Sequence, residues 1–196
     1  MERLWPTLRT VSLLAAGSVL VHELRYVAGY GSNAGKALAE QGHSYMPWLE
    51  ALASVLLVTL LARFVLTILR ASRGRLPERR VPRFRRLWLA SSVALAAIYT
   101  TQEGFEGTFA PGHPAGLVGV YGHGGWTALL FSALVGALIA AVTKLAWHAI
   151  EVVSGRAARL ARPVSGPLHA PAPLRVFGRR MDVLAWYLAG RAPPPA

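Results

Sequence analysis

Two groups of ionisable residues interrupt an otherwise apolar chain: His22-Glu23 with Arg25, and Gln102-Glu103 with Glu106. His22, Arg25 and Tyr26 fall at i, i+3, i+4 on one helical face, and Glu103 and Glu106 share another face at i, i+3. Two carboxylates so placed repel each other unless a proton, a cation or Arg25 lies between them. His43, His113 and His123 sit in connecting segments that can reach the same level. Imidazole and carboxylate together make a divalent-metal site, and the ligand set expected here is His22, Glu103, Glu106, His113 and His123. His43, in the other connecting segment, ranks below them.

The chain has no cysteine, so disulfides, iron–sulfur clusters, thiolate zinc and cysteine nucleophiles are excluded. Nitrogen and oxygen donors without sulfur favour Cu(II), zinc or non-haem iron over Cu(I). Of the three methionines only Met46 lies near the group, which speaks against a thioether copper relay. Copper is expected before zinc, because it is the metal most often handled on the extracytoplasmic face. Other chemistries lack their motifs. Tyr26 stands where His-Glu-x-x-His needs its second histidine, and the glycine-rich Gly119–Gly125 is not followed by the Lys-Ser/Thr of a phosphate cradle. A b-type haem would require two histidines to face each other, with His22 and His123 the candidate pair. The plain alternative is that Glu23, Arg25, Glu103 and Glu106 pair among themselves and fix helix register.

The elements that must position these residues are apolar and long. The composition is 54% hydrophobic and only 15% charged, with a mean hydropathy of +0.39; soluble domains carry about 25% charged residues. Four apolar runs, at about 10–30, 48–69, 87–106 and 126–150, approach or exceed the roughly 20 residues that cross the hydrocarbon of a bilayer. The first could pass for a signal-peptide core as far as Val21, but it continues helically through His22–Tyr26 and reads as a retained span. The net charge of +12 does not mark a nucleic-acid binder, because the arginines punctuate membrane-length runs instead of lining a soluble face. Eight of them fall between Arg70 and Arg86 and seven more follow Ile150, whereas Glu103–Gly125 contains neither Lys nor Arg. The positive-inside rule then places both termini and the Arg70–Arg86 loop in the cytoplasm. The arginine bias suggests a GC-rich bacterial genome and hence a bacterial cell membrane.

Depth arithmetic tests whether the polar groups can meet. At 1.5 Å per residue His22 lies roughly 18–20 Å beyond Arg9, Glu103 roughly 25 Å beyond Arg86, and His123 roughly 31 Å from Lys144. All three reach the extracytoplasmic third; His148 and His169 belong to the opposite side. Between the first two runs, Ser32 or Asn33 could start a short helix over 34–41 that Gly42 ends. The eight glycines of Glu103–Gly125 describe a re-entrant loop, a lid or a tight turn, with Gly122-His123-Gly124-Gly125 allowing close backbone approach. Beyond the last run, the Pro-rich 162–173 reads as a linker. Leu174, Phe177, Met181, Leu184 and Leu188 then recur at helical spacing.

The fold expected is therefore all-α. It is an integral membrane four-helix bundle over 1–155 (N-in, C-in), followed by a cytoplasmic tail, 156–196, with an interfacial amphipathic helix at 174–189. The function expected is metal binding on the extracytoplasmic side for handling or delivery, ahead of catalysis. The partners expected are the lipid bilayer and other membrane subunits, and not nucleic acid. An accessory subunit of a larger membrane complex is the competing reading; proton or ion conduction through Glu103 and Glu106 is a weaker third.

Overall fold

The computed structural model describes residues 5–73, 82–110 and 113–161. The chain divides into two compact units, Met1–Arg159 and Leu160–Ala196; all that follows concerns the first. The linker at 162–173 and the amphipathic helix at 174–189 lie outside the described residues. The described residues form helices and turns without a strand. They are α1 (Trp5–Tyr30), a 3-10 turn at Gly31–Asn33, α2 (Ala34–Glu40), α3 (Met46–Ala71), α4 (Phe84–Phe109), the short α5 (Gly116–Tyr121) and α6 (Thr127–Ala161).

The helix boundaries follow local chemistry. Gly31 (φ 55°) takes the left-handed conformation that closes α1, which only glycine adopts freely. Asn33 precedes α2 as expected but makes no side-chain cap bond. Gly42 (φ 85°) ends α2 and Pro47 sits in the first turn of α3, where a missing N–H costs nothing. Ala110 is extended (φ −89°, ψ 122°), the conformation that a following proline imposes.

Three stretches are long and apolar enough to cross a membrane: Thr7–Glu40, Met46–Ala71 and Thr127–Leu160. They match the first, second and fourth apolar runs. The third run is the helix α4, equal in length to α1 and α3, but diluted by Ser91, Ser92, Thr100, Thr101, Gln102, Glu103 and Glu106.

α1 is the hub, packing on both α3 and α4. A Cβ at Gly17 would touch Leu95 of α4 and Val135 and Ile139 of α6 at 3.1–3.2 Å, so three helices meet there. Buried Val21, Leu95, Tyr99, Val120, Ala128 and Val135 form the core of that junction. α4 and α6 are pressed together at Gly136, where a Cβ would lie 2.3 Å from Ser92 Oγ; small residues at such crossings let backbones approach. One turn away the Trp88 indole donates to the Ala133 carbonyl at 2.9 Å. α3 is the exception to this close packing. Only 6% of its most apolar window is buried, against 33% for the other two candidate spans. Its exposed Val55, Val58 and Leu61 suit hydrocarbon better than water.

Candidate metal centre

The polar residues of α4 lie on one stripe. Tyr99, Gln102, Glu103 and Glu106 follow i, i+3, i+4, i+7, so a single helix face turns all four inward. On α1, His22, Arg25 and Tyr26 form the matching stripe, each 2% exposed or less. Glu103 is completely buried between the two. Its Oε1 lies 3.6 Å from His22 Nδ1, and its Oε2 lies 3.3 Å from Nε2 of His113, which approaches from the segment after α4. The same His113 nitrogen is 3.7 Å from Glu106 Oε2.

His43 joins from the turn after α2, and the fold fixes it there. Its N–H bonds to the Leu38 carbonyl at 3.0 Å, and that of Gly42 to the Ala39 carbonyl at 3.5 Å. This pair of bonds around a left-handed glycine is a Schellman closure. His43 is thus held by the end of a helix and is 2% exposed. Its Nε2 is 2.7 Å from Glu106 Oε2. The rings of His22 and His43 are 4.7 Å apart, and those of His43 and His113 5.4 Å. Ligating atoms of His22, His43, Glu103 and Glu106 all lie within 4.8 Å of one another. Donors about 2.1 Å from one ion in a tetrahedral site stand about 3.4 Å apart, so a contraction of up to about 1.4 Å would close the set on a metal.

Hydrogen bonds around the rim orient the donors. His113 Nδ1 is 2.9 Å from the Pro114 carbonyl. A carbonyl only accepts, so Nδ1 carries the proton and the neutral ring presents its Nε2 lone pair to the carboxylates. Tyr26 gives its hydroxyl proton to Gln41 Oε1 at 2.8 Å and stands 3.5 Å from His43 Nδ1. At 2.7 Å from a carboxylate oxygen, which only accepts, the Nε2 of His43 donates to Glu106 Oε2. Tyr45 donates to Glu106 Oε1, and Gln102 Nε2 donates to both Tyr45 (2.9 Å) and Glu106 Oε1 (3.2 Å). Glu106 Oε2 stays turned toward the histidines. Fixing a tautomer through the other ring nitrogen is the usual second shell of a metal-bound imidazole.

What remains is a concentration of unsatisfied donors and acceptors. Both ring nitrogens of His22, both oxygens of Glu103 and Nε2 of His113 are buried without a hydrogen-bond partner. Each such group costs about 1–3 kcal/mol, more when charged. One cation among them would satisfy several at once. Arg25 supplies a fixed positive charge beside this group: its guanidinium lies over the Tyr26 ring, 4.2 Å from the centroid, and interacts electrostatically with Glu103.

Of the five residues expected as ligands, the structure brings together His22, Glu103, Glu106 and His113, and adds His43. It does not bring in His123, which is exposed and left-handed at φ 47°. The His123 carbonyl oxygen would lie 2.8 Å from a Cβ on Gly29. The Gly122–Gly125 turn therefore makes its close approach to α1 and works as a backbone contact. The signal for His43 was Gly42, which ends α2 and sets the next residue in a rigid closure. Tyr26 was legible through its spacing from His22, whereas Tyr45 left no such signal, since aromatic residues at a membrane interface are ordinary.

No family model, no curated protein and no solved structure matches the chain. Fold and site define a class in physical terms alone: an all-helical chain with membrane-length apolar helices and a buried His/Glu group able to hold a metal ion.

Proposed function

We propose that this is a multi-pass cell-membrane protein that holds a transition-metal ion, copper before zinc, through His22, His43, Glu103, Glu106 and His113. All four long helices cross the bilayer, with both termini cytoplasmic and the metal on the extracytoplasmic side. The arginine distribution supports that orientation. α4 qualifies as a span because its acidic and amide groups face α1, while exposed Val93, Ile98 and Phe105 meet lipid. Ionisable residues in a span face the protein interior, and a hydropathy average counts them against the helix all the same. The single observation that carries the metal reading is the set of five buried atoms without a hydrogen bond on His22, Glu103 and His113, of which His22 offers one nitrogen as a ligand. Copper leads because Cu(II) stands above zinc in affinity for nitrogen and oxygen donors. The role is metal handling or delivery, with catalysis secondary.

Elemental analysis of the tag-free protein after loading with Cu(II) and Zn(II) tests this. About one ion per chain is expected, lost in His22→Ala and in Glu103→Ala, and retained in His123→Ala. Metal at background level in the folded wild type overturns the reading. The cluster would then be a polar network joining α1, α4 and the α2–α3 turn, as in a small accessory subunit of a larger membrane complex.

A further inference from the structure

Arg25 is a charge beside the metal centre that cannot be a ligand, because a guanidinium has no lone pair to offer and does not lose its proton. It follows His22 by one turn of α1 and is 2% exposed. The guanidinium lies 4.2 Å from the centroid of the Tyr26 ring and 5.9 Å from that of Tyr30. Its Nε and Nη1 are buried without a hydrogen-bond partner. Among the described residues it forms no ion pair with a carboxylate, yet it acts electrostatically on both Glu103 and His22. An arginine that only fixed helix register would close on Glu103 in a forked ion pair. This one stands off against aromatic faces and works through space.

Metal binding requires ionised carboxylates and neutral imidazoles. Glu103, Glu106 and Arg25 together then leave the cluster with a single negative charge. A monovalent ion neutralises it, whereas a divalent ion leaves a buried positive charge, which is costly. Coulomb repulsion scales with the charge of the ion. Arg25 therefore opposes Cu(II) or Zn(II) with twice the energy with which it opposes Cu(I), and the loss of affinity for the divalent ion is the square of that for the monovalent one. We infer that Arg25 is a specificity-determining residue that discriminates by charge, loosening the hold on divalent ions more than on Cu(I). It works against the donor set, since imidazole and carboxylate alone favour Cu(II). A narrowed gap between the two oxidation states suits a centre that must release copper as well as bind it. The inference rests on the metal reading of the cluster.

Paired affinities test it. The full, tag-free chain in detergent is titrated with Cu(II) and Zn(II) against a chromogenic chelator, and with Cu(I), under ascorbate and without air, against bicinchoninate. Arg25→Gln should bind every ion more tightly: Cu(I) by about threefold or more, and Cu(II) and Zn(II) by the square of that factor, roughly tenfold or more. Arg25→Lys keeps the charge and should keep the wild-type ratio of Cu(II) to Cu(I) affinity. Should Arg25→Gln fail to fold, Arg25→Met, which follows the arginine stem without its charge, serves the same purpose. Weaker binding of all three ions by the folded neutral variant would make Arg25 a structural residue and overturn the inference. An equal change for Cu(I) and Cu(II) would do the same. The failure of the underlying reading looks different: metal at background in wild type and variants alike sinks the metal centre itself, whereas metal bound with an unaltered Cu(II)/Cu(I) ratio in the neutral variant sinks the charge role alone.

Discussion

Glu103 concentrates the physical problem of this protein in one side chain. It is fully buried, neither oxygen has a hydrogen bond, and histidines approach both of them. Arg25 answers that charge electrostatically but makes no hydrogen bond to it, and a metal ion would supply the direct partner. Glu103→Gln should therefore abolish metal retention while leaving the bundle inserted, since the amide keeps the shape and removes the charge. Atomic absorption on the purified variant reads the first effect and size-exclusion chromatography the second. Retention of a full complement of metal would show that the charge is not what the ion needs. Tyr45 makes a finer test. It orients Glu106 through Oε1 without belonging to the ligand set, and loss of an outer-shell partner of this kind costs about 10–100-fold in metal affinity. Tyr45→Phe should weaken binding within that range in a competition titration with a chromogenic chelator. An unchanged affinity would mean that Gln102 alone holds the carboxylate.

At the level of elements, how much was legible in the chain depended on how local the cause was. Helix identity and the end of α2 at Gly42 follow from composition and glycine chemistry, and both were readable. That Glu103 and Glu106 share one helix face was readable too, from spacing alone. Depth arithmetic gives the height of His123 in the bundle but not its azimuth, and its turn is spent on the approach to Gly29. His43 was undervalued because a connecting segment looks mobile until its hydrogen bonds are known. The Schellman closure yields a direct prediction. Gly42→Ala places a Cβ at φ 85° and should destabilise the protein by about 1 kcal/mol. It should also lower metal affinity by displacing His43; thermal unfolding in detergent, with and without metal, reads both effects. Equal loss of stability in the two states would detach His43 from the site. Gly136→Leu is the contrasting case. The side chain would run into Ser92, including its backbone nitrogen at 2.8 Å from the Cβ. The α4–α6 contact should then weaken by about 1–3 kcal/mol, and the same unfolding assay reads it.

For the molecule as a whole, orientation is the property most easily checked, because the chain contains no cysteine. Ser44 and Ser72 are exposed at opposite ends of α3. A membrane-impermeant maleimide should label Ser44→Cys on intact cells and Ser72→Cys only after the membrane is opened. The reverse pattern would invert the topology and put the metal on the cytoplasmic side. The position of the ligands along the chain has a further consequence, in time. His22 and Arg25 belong to the first helix made, yet Glu103, the residue that answers them, is synthesised about 80 residues later. At about 5–20 residues per second, the ribosome takes several seconds to cover that distance. For that interval the Arg25 guanidinium has the Tyr26 ring of its own helix, and the His22 imidazole lacks the carboxylate it later faces. The first helix therefore gains the carboxylate that faces it only once the fourth helical segment has been made.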